Sequence, residues 1–141
     1  MKKLFPISLM LFLFTNCSKD PDDNNTCTTT AANIAGSYKV SASTYKETPT
    51  SDEEDLMATM EPCEKDDLLT FKTDGTYETL DAAIVCTPPN DEIGDWNLSG
   101  STLVVDGEPV TIKSFNCKTL VLVTSEIFIP GDQLTLTLQK Q

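Results

Sequence analysis

The chain contains no arginine and no histidine. Without arginine it lacks the planar guanidinium group that binds carboxylates and phosphates through paired hydrogen bonds. Without histidine it lacks the usual general base and the commonest transition-metal ligand. Its 10 basic residues are opposed by 22 acidic ones, and the formal net charge is −12. Such a charge repels phosphate backbones, so binding to nucleic acid is not expected.

Long apolar runs are also scarce. The N-terminal run from Leu4 to Phe14 has 11 residues, follows two lysines and ends close to Cys17. It is too short for a membrane-spanning helix but typical of a signal peptide. A cysteine at the exit of such a run resembles a lipoprotein signal. We therefore predict a signal peptide over residues 1–16 and a lipid on Cys17 that anchors the protein to a membrane. The alternative is an ordinary secretory leader that is cleaved nearby.

The segment after Cys17 is polar and carries no apolar periodicity. Residues 17–33 are therefore predicted to form a tether with little fixed structure, followed by one domain over residues 34–141. Lys19 is followed by the acidic residues Asp20, Asp22 and Asp23. This pattern resembles the surface-export signal of Bacteroidota lipoproteins, and it implies an outer-membrane lipoprotein exposed at the cell surface. A solvated acidic linker would have the same composition.

Four cysteines remain if Cys17 carries lipid, and an even number in an exported chain indicates disulfides. Zinc is not expected, since no two of them lie within the short C-x₂₋₄-C spacing of structural zinc sites. Four cysteines allow three pairings. We favour Cys63–Cys86, which would join the ends of one predicted hairpin, and Cys27–Cys117, which would tie the tether to the domain.

From Gly36 onward, apolar and polar residues alternate in several short runs, which is typical of strands with one buried face. Asp74-Gly75 and Asp106-Gly107 lie between such runs and are strong hairpin signals. Consecutive hairpins without helical spacers predict an all-β fold, an up-and-down antiparallel barrel of about eight strands, with a β-sandwich as the alternative. The apolar positions of the clearest alternating runs are Tyr38 and Val40, Leu69 and Phe71, Trp96 and Leu98, Val110 and Ile112, and Leu134, Leu136 and Leu138.

One segment between the first two predicted strands departs from this pattern. Ser51 and Glu54 form a capping-box motif ahead of Leu56, Met57 and Met60, which would share one helical face. We predict a short helix here. It would either plug one end of the barrel or, as the second interpretation, cover a pocket as a lid.

The domain resembles a family of lipocalin-like lipoproteins of Bacteroidota. The matching stretches are Gly36-Ser37-Tyr38-Lys39-Val40, Cys63-Glu64-Lys65-Asp66-Asp67 with Leu69 and Phe71, Asp74-Gly75-Thr76-Tyr77, Cys86, and Gly94-Asp95-Trp96-Asn97-Leu98 with Leu103. The resemblance covers residue 35 to about residue 140. It implies an eight-stranded, lipocalin-like barrel, a Cys63–Cys86 disulfide and an interior pocket.

Aromatic and apolar side chains could line that pocket, and we name Tyr38, Phe71, Tyr77, Trp96 and Leu98. They could equally fill the barrel, because eight strands enclose little more than side chains. Adjacent acids on loops are usually solvated, and none matches the EF-hand spacing. We therefore predict no catalytic residue, no metal and no cofactor. Two functions remain open: a lipid-anchored module that binds a small apolar ligand, or a cell-surface module with a filled barrel that contacts a protein.

Overall fold

Antiparallel strands dominate residues 27–141, the part of the chain that the computed structural model describes. A short helix, α1, precedes the first strand, and a single 3₁₀ turn follows the second. The elements are α1 (Ala31–Ile34), β1 (Gly36–Lys46), β2 (Glu54–Asp55), the 3₁₀ turn (Leu56–Ala58), β3 (Leu68–Phe71), β4 (Thr76–Leu80), β5 (Glu92–Ser99), β6 (Thr102–Val105), β7 (Glu108–Phe115), β8 (Thr119–Ser125) and β9 (Gln133–Lys140).

Each strand from β3 to β8 pairs with the next one along the chain, and β1 pairs with both β3 and β9. Tyr38 lies opposite Leu69 on one side and opposite Lys140 on the other. The sheet therefore closes on itself as an eight-stranded, up-and-down barrel, with β2 as a two-residue addition at the end of β1. The predicted fold class is confirmed.

The two ends of the barrel differ. At the end where β1 begins, called the α1 end, the connections are short and comprise residues 72–75, 100–101 and 116–118. At the opposite end, called the loop end, they are residues 47–67, 81–91, 106–107 and 126–132. Asp106 and Gly107 have φ values of 51° and 86°, the left-handed conformation that a tight hairpin turn needs.

The α1 helix closes the α1 end. Its last residue, Ile34, is fully buried in the core, while the Thr30 side chain accepts a hydrogen bond from the Asn33 N–H at 3.2 Å. Lys140 at the end of β9 donates to the carbonyl oxygens of Asn33 and Ala35, each at 2.7 Å. The plug of the barrel is thus a helix that begins within the segment predicted as a tether.

The predicted helix after Ser51 is shorter than expected and does not plug the barrel. Glu54 and Asp55 pair with β1 as a strand, so their backbone is not available for a first helical turn. Only Leu56–Ala58 is helical, as one 3₁₀ turn whose N-terminus is capped by Asp55, and none of these three residues is buried. The turn contacts β1.

The interior is one hydrophobic cluster. Its buried members are Ile34, Tyr38, Phe71, Tyr77, Trp96, Leu103, Ile112, Leu120, Leu122 and Leu138. They come from α1 and from all eight barrel strands, with half-buried Val105 and Leu98 packed against them. Within residues 27–141, no helix is both long enough and apolar enough to cross a membrane.

Candidate functional site

Four of the five residues predicted to line a pocket pack against one another inside the barrel. Phe71 lies at the centre: its ring centroid is 5.2 Å from that of Trp96, 6.0 Å from that of Tyr38 and 6.5 Å from that of Tyr77. None of these four side chains is more than 5% exposed. Edge-to-face and tilted rings at such distances are in direct contact. The aromatic residues therefore fill this part of the barrel.

The polar atoms of these aromatic side chains also have partners. Trp96 Nε1 donates to the Lys72 carbonyl oxygen at 2.9 Å, and the Tyr38 hydroxyl donates to the Ile34 carbonyl oxygen at 2.6 Å. Burial raises the pKa of Tyr38 to about 12, so this phenol stays protonated and keeps its bond. The rings are held by hydrogen bonds as well as by packing, which fixes their orientation.

Asp106 is a structural residue that sequence analysis identified only as part of a turn. Its carboxylate accepts hydrogen bonds from the Tyr77 hydroxyl at 2.5 Å and from the Asp95 N–H at 2.9 Å. These bonds lower its pKa, the one from Tyr77 most strongly, and the same bond raises the pKa of Tyr77. Gly94 leaves the space that this arrangement needs, because a Cβ there would collide with Asp106 and with the Tyr77 ring.

A groove of about 430 Å³ lies at the α1 end. Trp96 and Leu98, two of the predicted pocket residues, line it together with Ala31 and Ala32 of α1 and with Gly75. Thr73, Asp74 and Asn97 add polar groups at its edge. The structure thus brings two of the five predicted residues to a cavity, which lies at the α1 end and has none of Tyr38, Phe71 and Tyr77 in its lining.

Other cavities in the described part of the chain lie at the loop end. One of about 330 Å³ is lined by Tyr45 and Ile129, and one of about 440 Å³ lies beside the Cys63–Cys86 disulfide. Tyr38, Phe71 and Tyr77 line neither these two cavities nor the groove at the α1 end. Within residues 27–141, no group of three or more Cys, Asp or Glu side chains is arranged to hold a metal ion.

Both disulfides follow the favoured pairing. Cys63 is bonded to Cys86, with their Cα atoms 5.3 Å apart, and Cys27 to Cys117, with Cα atoms 5.6 Å apart. The first joins two connections of the loop end, while the second fixes the start of the described chain to the turn between β7 and β8. Cys17, the predicted lipidation site, lies outside the described residues.

Exposed large apolar side chains are concentrated at the loop end. Ile93 is 75% exposed and Phe128 is 73% exposed. The complete set among the described residues is Leu80, Ile84, Val85, Ile93, Ile127, Phe128 and Ile129, and we call it the apolar rim. All seven lie in connections 81–91 and 126–132 or on the ends of β4 and β5 next to the first of these.

The part of the rim around Phe128 is held in place by Asp132, which is 1% exposed. Its carboxylate accepts hydrogen bonds from the N–H groups of Ile127, Phe128 and Ile129 at 2.7, 2.9 and 3.1 Å. Tyr45 donates its hydroxyl to the same carboxylate at 3.1 Å and packs edge-on against the Phe128 ring, centroid to centroid 5.7 Å. This loop therefore displays its apolar side chains from a fixed backbone.

Comparison with known proteins identifies one family. Residues 34–122 match a family model described as a lipocalin-like domain. No curated protein and no solved structure shows significant similarity to the chain.

Proposed function

Because the chain belongs to the lipocalin-like domain family, we propose that it is a lipid-anchored module of the cell envelope whose filled barrel contacts a protein partner through the apolar rim. The observation that carries this proposal is that every exposed large apolar side chain of residues 27–141 lies at the loop end. Concentrated apolar exposure on a folded domain is typical of an interaction surface. Lipocalin-like domains are in general binding proteins without enzymatic activity, and the proposal includes no reaction.

The anchor would orient this surface. Cys27 is bonded to Cys117 at the α1 end, so a chain that starts from a lipid on Cys17 enters the domain there. The ten residues from Cys17 to Cys27 span at most about 35 Å when extended. The α1 end would therefore face the membrane, and the apolar rim would point away from it. Two disulfides indicate an extracytoplasmic protein, and an outer-membrane position is our proposal.

The negative charge of the domain indicates what kind of partner surface it can bind. Cleavage before Cys17 would remove Lys2 and Lys3 and leave 8 lysines against 22 acidic residues, a formal charge of −14. Asp91 and Glu92 lie immediately beside the exposed Ile93. A partner surface with apolar side chains surrounded by Lys or Arg would complement this end, and such complementarity favours association. A second copy of the same domain would meet like charge.

The contact is tested with a photo-crosslinking residue placed at Ile93 or at Phe128 in the lipidated protein in its native envelope. We expect a discrete crosslinked species from both positions. The matched control is Lys118, which is exposed at the α1 end. Crosslinks at Lys118 as strong as those at the rim, or no crosslink at either rim position, would refute the contact surface.

The anchor is tested separately with Cys17→Ser. The variant is expected to leave the membrane fraction in a carbonate wash while its far-UV circular dichroism stays unchanged, because Cys17 lies ten residues before the first residue of the described domain. Retention of the variant in washed membranes would show that the lipid on Cys17 is not the anchor.

A second candidate function rests on the groove beside α1. Its volume of about 430 Å³ is within the range of small-molecule sites, and Trp96 and Leu98 offer apolar contacts. A small apolar ligand bound there would change the emission of the only tryptophan. Native mass spectrometry of the purified protein, compared with Leu98→Lys to obstruct the groove, tests this candidate: a bound mass that is lost in the variant would support it, and an equal mass in both would place the ligand elsewhere.

A further inference from the structure

The connection between β4 and β5, residues 81–91, carries Ile84 and Val85 of the apolar rim and is held to the connection before β3 by aspartates. Asp66 accepts hydrogen bonds from the N–H groups of Ala83 and Ile84 at 2.6 and 2.9 Å. Asp81 accepts from the Asn90 N–H at 2.8 Å, which closes the base of the loop. The Cys63–Cys86 disulfide joins the same two segments covalently.

The contact between Asp67 and Asp81 is of a different kind. They directly adjoin Leu68 and Leu80, which lie opposite each other across β3 and β4, so the two carboxyl groups meet at the end of this strand pair. The Oδ1 atoms of Asp67 and Asp81 are both buried, and within residues 27–141 no N–H or hydroxyl donates to either of them. Two ionised carboxylates offer acceptors only, so they cannot hydrogen-bond each other. One proton between them supplies the missing donor and removes the repulsion between two adjacent charges.

We propose that Asp67 and Asp81 share one proton and so form a pH-sensitive clasp that holds residues 81–91 against the start of β3. As a means of regulating the apolar rim, this clasp rests on the function proposed above. As a structural device, it rests only on the paired carboxyl groups and the loop that they hold.

The charges around the pair set the pH range. Burial, followed by the charge and hydrogen bond of Asp81 and the charges of Asp66 and Glu64, raises the pKa of Asp67 to about 6. Asp66 itself stays ionised, because the N–H groups of Ile84 and Ala83 and the charge of Lys39 outweigh its burial and lower its pKa. Asp91 adds a further negative group, since it accepts from the Asp81 N–H at 3.1 Å.

These pKa values determine whether the loop closes more tightly or less tightly as the pH rises. The closed loop holds the proton below about pH 6, whereas an open loop would hold it only below the ordinary value of 3.8. Protons therefore favour the closed form, and closure weakens as the pH rises through this window. Above about pH 6 Asp67 is ionised in both forms, and the closed form has lost its advantage. The disulfide limits any opening to a local one.

Amide hydrogen exchange tests the clasp without a partner. Between about pH 5 and about pH 7.5, and after correction for intrinsic exchange, the protection of the Ala83, Ile84 and Asn90 amides should fall about tenfold, since each pH unit below the pKa of the closed form contributes a factor of about ten. Carboxyl carbon NMR should show Asp67 titrating near pH 6.

Asp67→Asn provides the decisive comparison. Its amide donates a hydrogen bond to Asp81 at every pH, so protection of the three amides should no longer depend on pH. Asp52→Asn, which removes one exposed charge from another loop, should behave like the native protein. Protection in the native protein that does not change with pH would overturn the clasp. An equal fall in amide protection in Asp67→Asn would also overturn it. The same holds if protection at about pH 7.5 requires added Ca²⁺.

The two proposals fail independently. Loss of the exchange effect leaves the crosslinks from Ile93 and Phe128 unchanged as evidence for the contact surface. Absence of those crosslinks leaves the exchange measurement unchanged as evidence for the clasp.

Discussion

Trp96→Ala removes one of the four aromatic side chains that pack together inside the barrel. The residue is 4% exposed, and its ring centroid is 5.2 Å from that of Phe71. A ring of this kind buries about 200 Å², worth about 5 kcal/mol at about 25 cal/mol per Å². Mutational data for buried aromatic residues give about 3–5 kcal/mol. We expect the free energy of unfolding to fall by about 4 kcal/mol.

The cost of losing Trp96 has two parts, the packing of the ring and the hydrogen bond of the indole. Trp96→Phe keeps a ring beside Phe71 but loses the bond from Nε1 to the Lys72 carbonyl oxygen, 2.9 Å in the native protein. Because Lys72 is only half-buried, water can replace part of that bond. Trp96→Phe should therefore cost about 1–2 kcal/mol, clearly less than the alanine variant.

The assay is urea unfolding followed by far-UV circular dichroism, since both variants lack the fluorophore. The native protein should also emit at short wavelength and resist quenching by iodide. A cost below about 1 kcal/mol for Trp96→Ala, with an unchanged m value, would refute the reasoning, because it would mean that the ring does not pack as described.

Three further predictions use the same measurement. Gly94→Ala should destabilise the protein by about 2–3 kcal/mol, because its Cβ displaces Asp106 from its hydrogen bonds, while an unchanged stability would contradict the close approach. Cys117→Ser should cost more than Cys63→Ser, about 4.5 against about 3.5 kcal/mol, since the disulfides close loops with sequence separations of 90 and 23; the reverse order would argue against the entropic cause. The pKa of Asp132 is lowered because its backbone hydrogen bonds outweigh burial, so it stabilises the protein above pH 3.8 and loses this effect as the pH falls further. Asp132→Asn should reduce the loss of stability below pH 3.8. An unchanged loss would mean that other carboxyl groups cause it.

The strands were predictable because one alternating pattern repeats and the turns contain Asp-Gly. Trp96 and Leu98 face inward and Asp106-Gly107 turns, as the pattern indicates. Closure of the sheet through β1 and β9 depends on the twist and stagger of all the strands, and no local pattern encodes it. The run of consecutive hairpins only favoured a barrel over a β-sandwich, and the family resemblance implied the same closure.

The helices were predicted poorly for opposite reasons. The capping box at Ser51 is a local preference that pairing with β1 overrides, because the backbone of Glu54 and Asp55 is used in the sheet. The α1 helix was not predicted: it has four residues and no periodicity, and its one local signal is Thr30, which caps it. The Asp67–Asp81 contact could not be inferred from the sequence, since it exists only where two loops meet.

The pairing of β1 with β9 also determines when the barrel can be completed. The strand that starts the sheet, Gly36–Lys46, needs the last strand, Gln133–Lys140, on one of its two edges. A chain that emerges from its N-terminus therefore carries an unpaired β1 edge until residues 133–140 have been delivered. Such an edge can pair with other chains, and contacts between distant residues form slowly. The most vulnerable period of this protein thus falls late in its folding, after the Cys27–Cys117 bond can form and before the ring of strands closes.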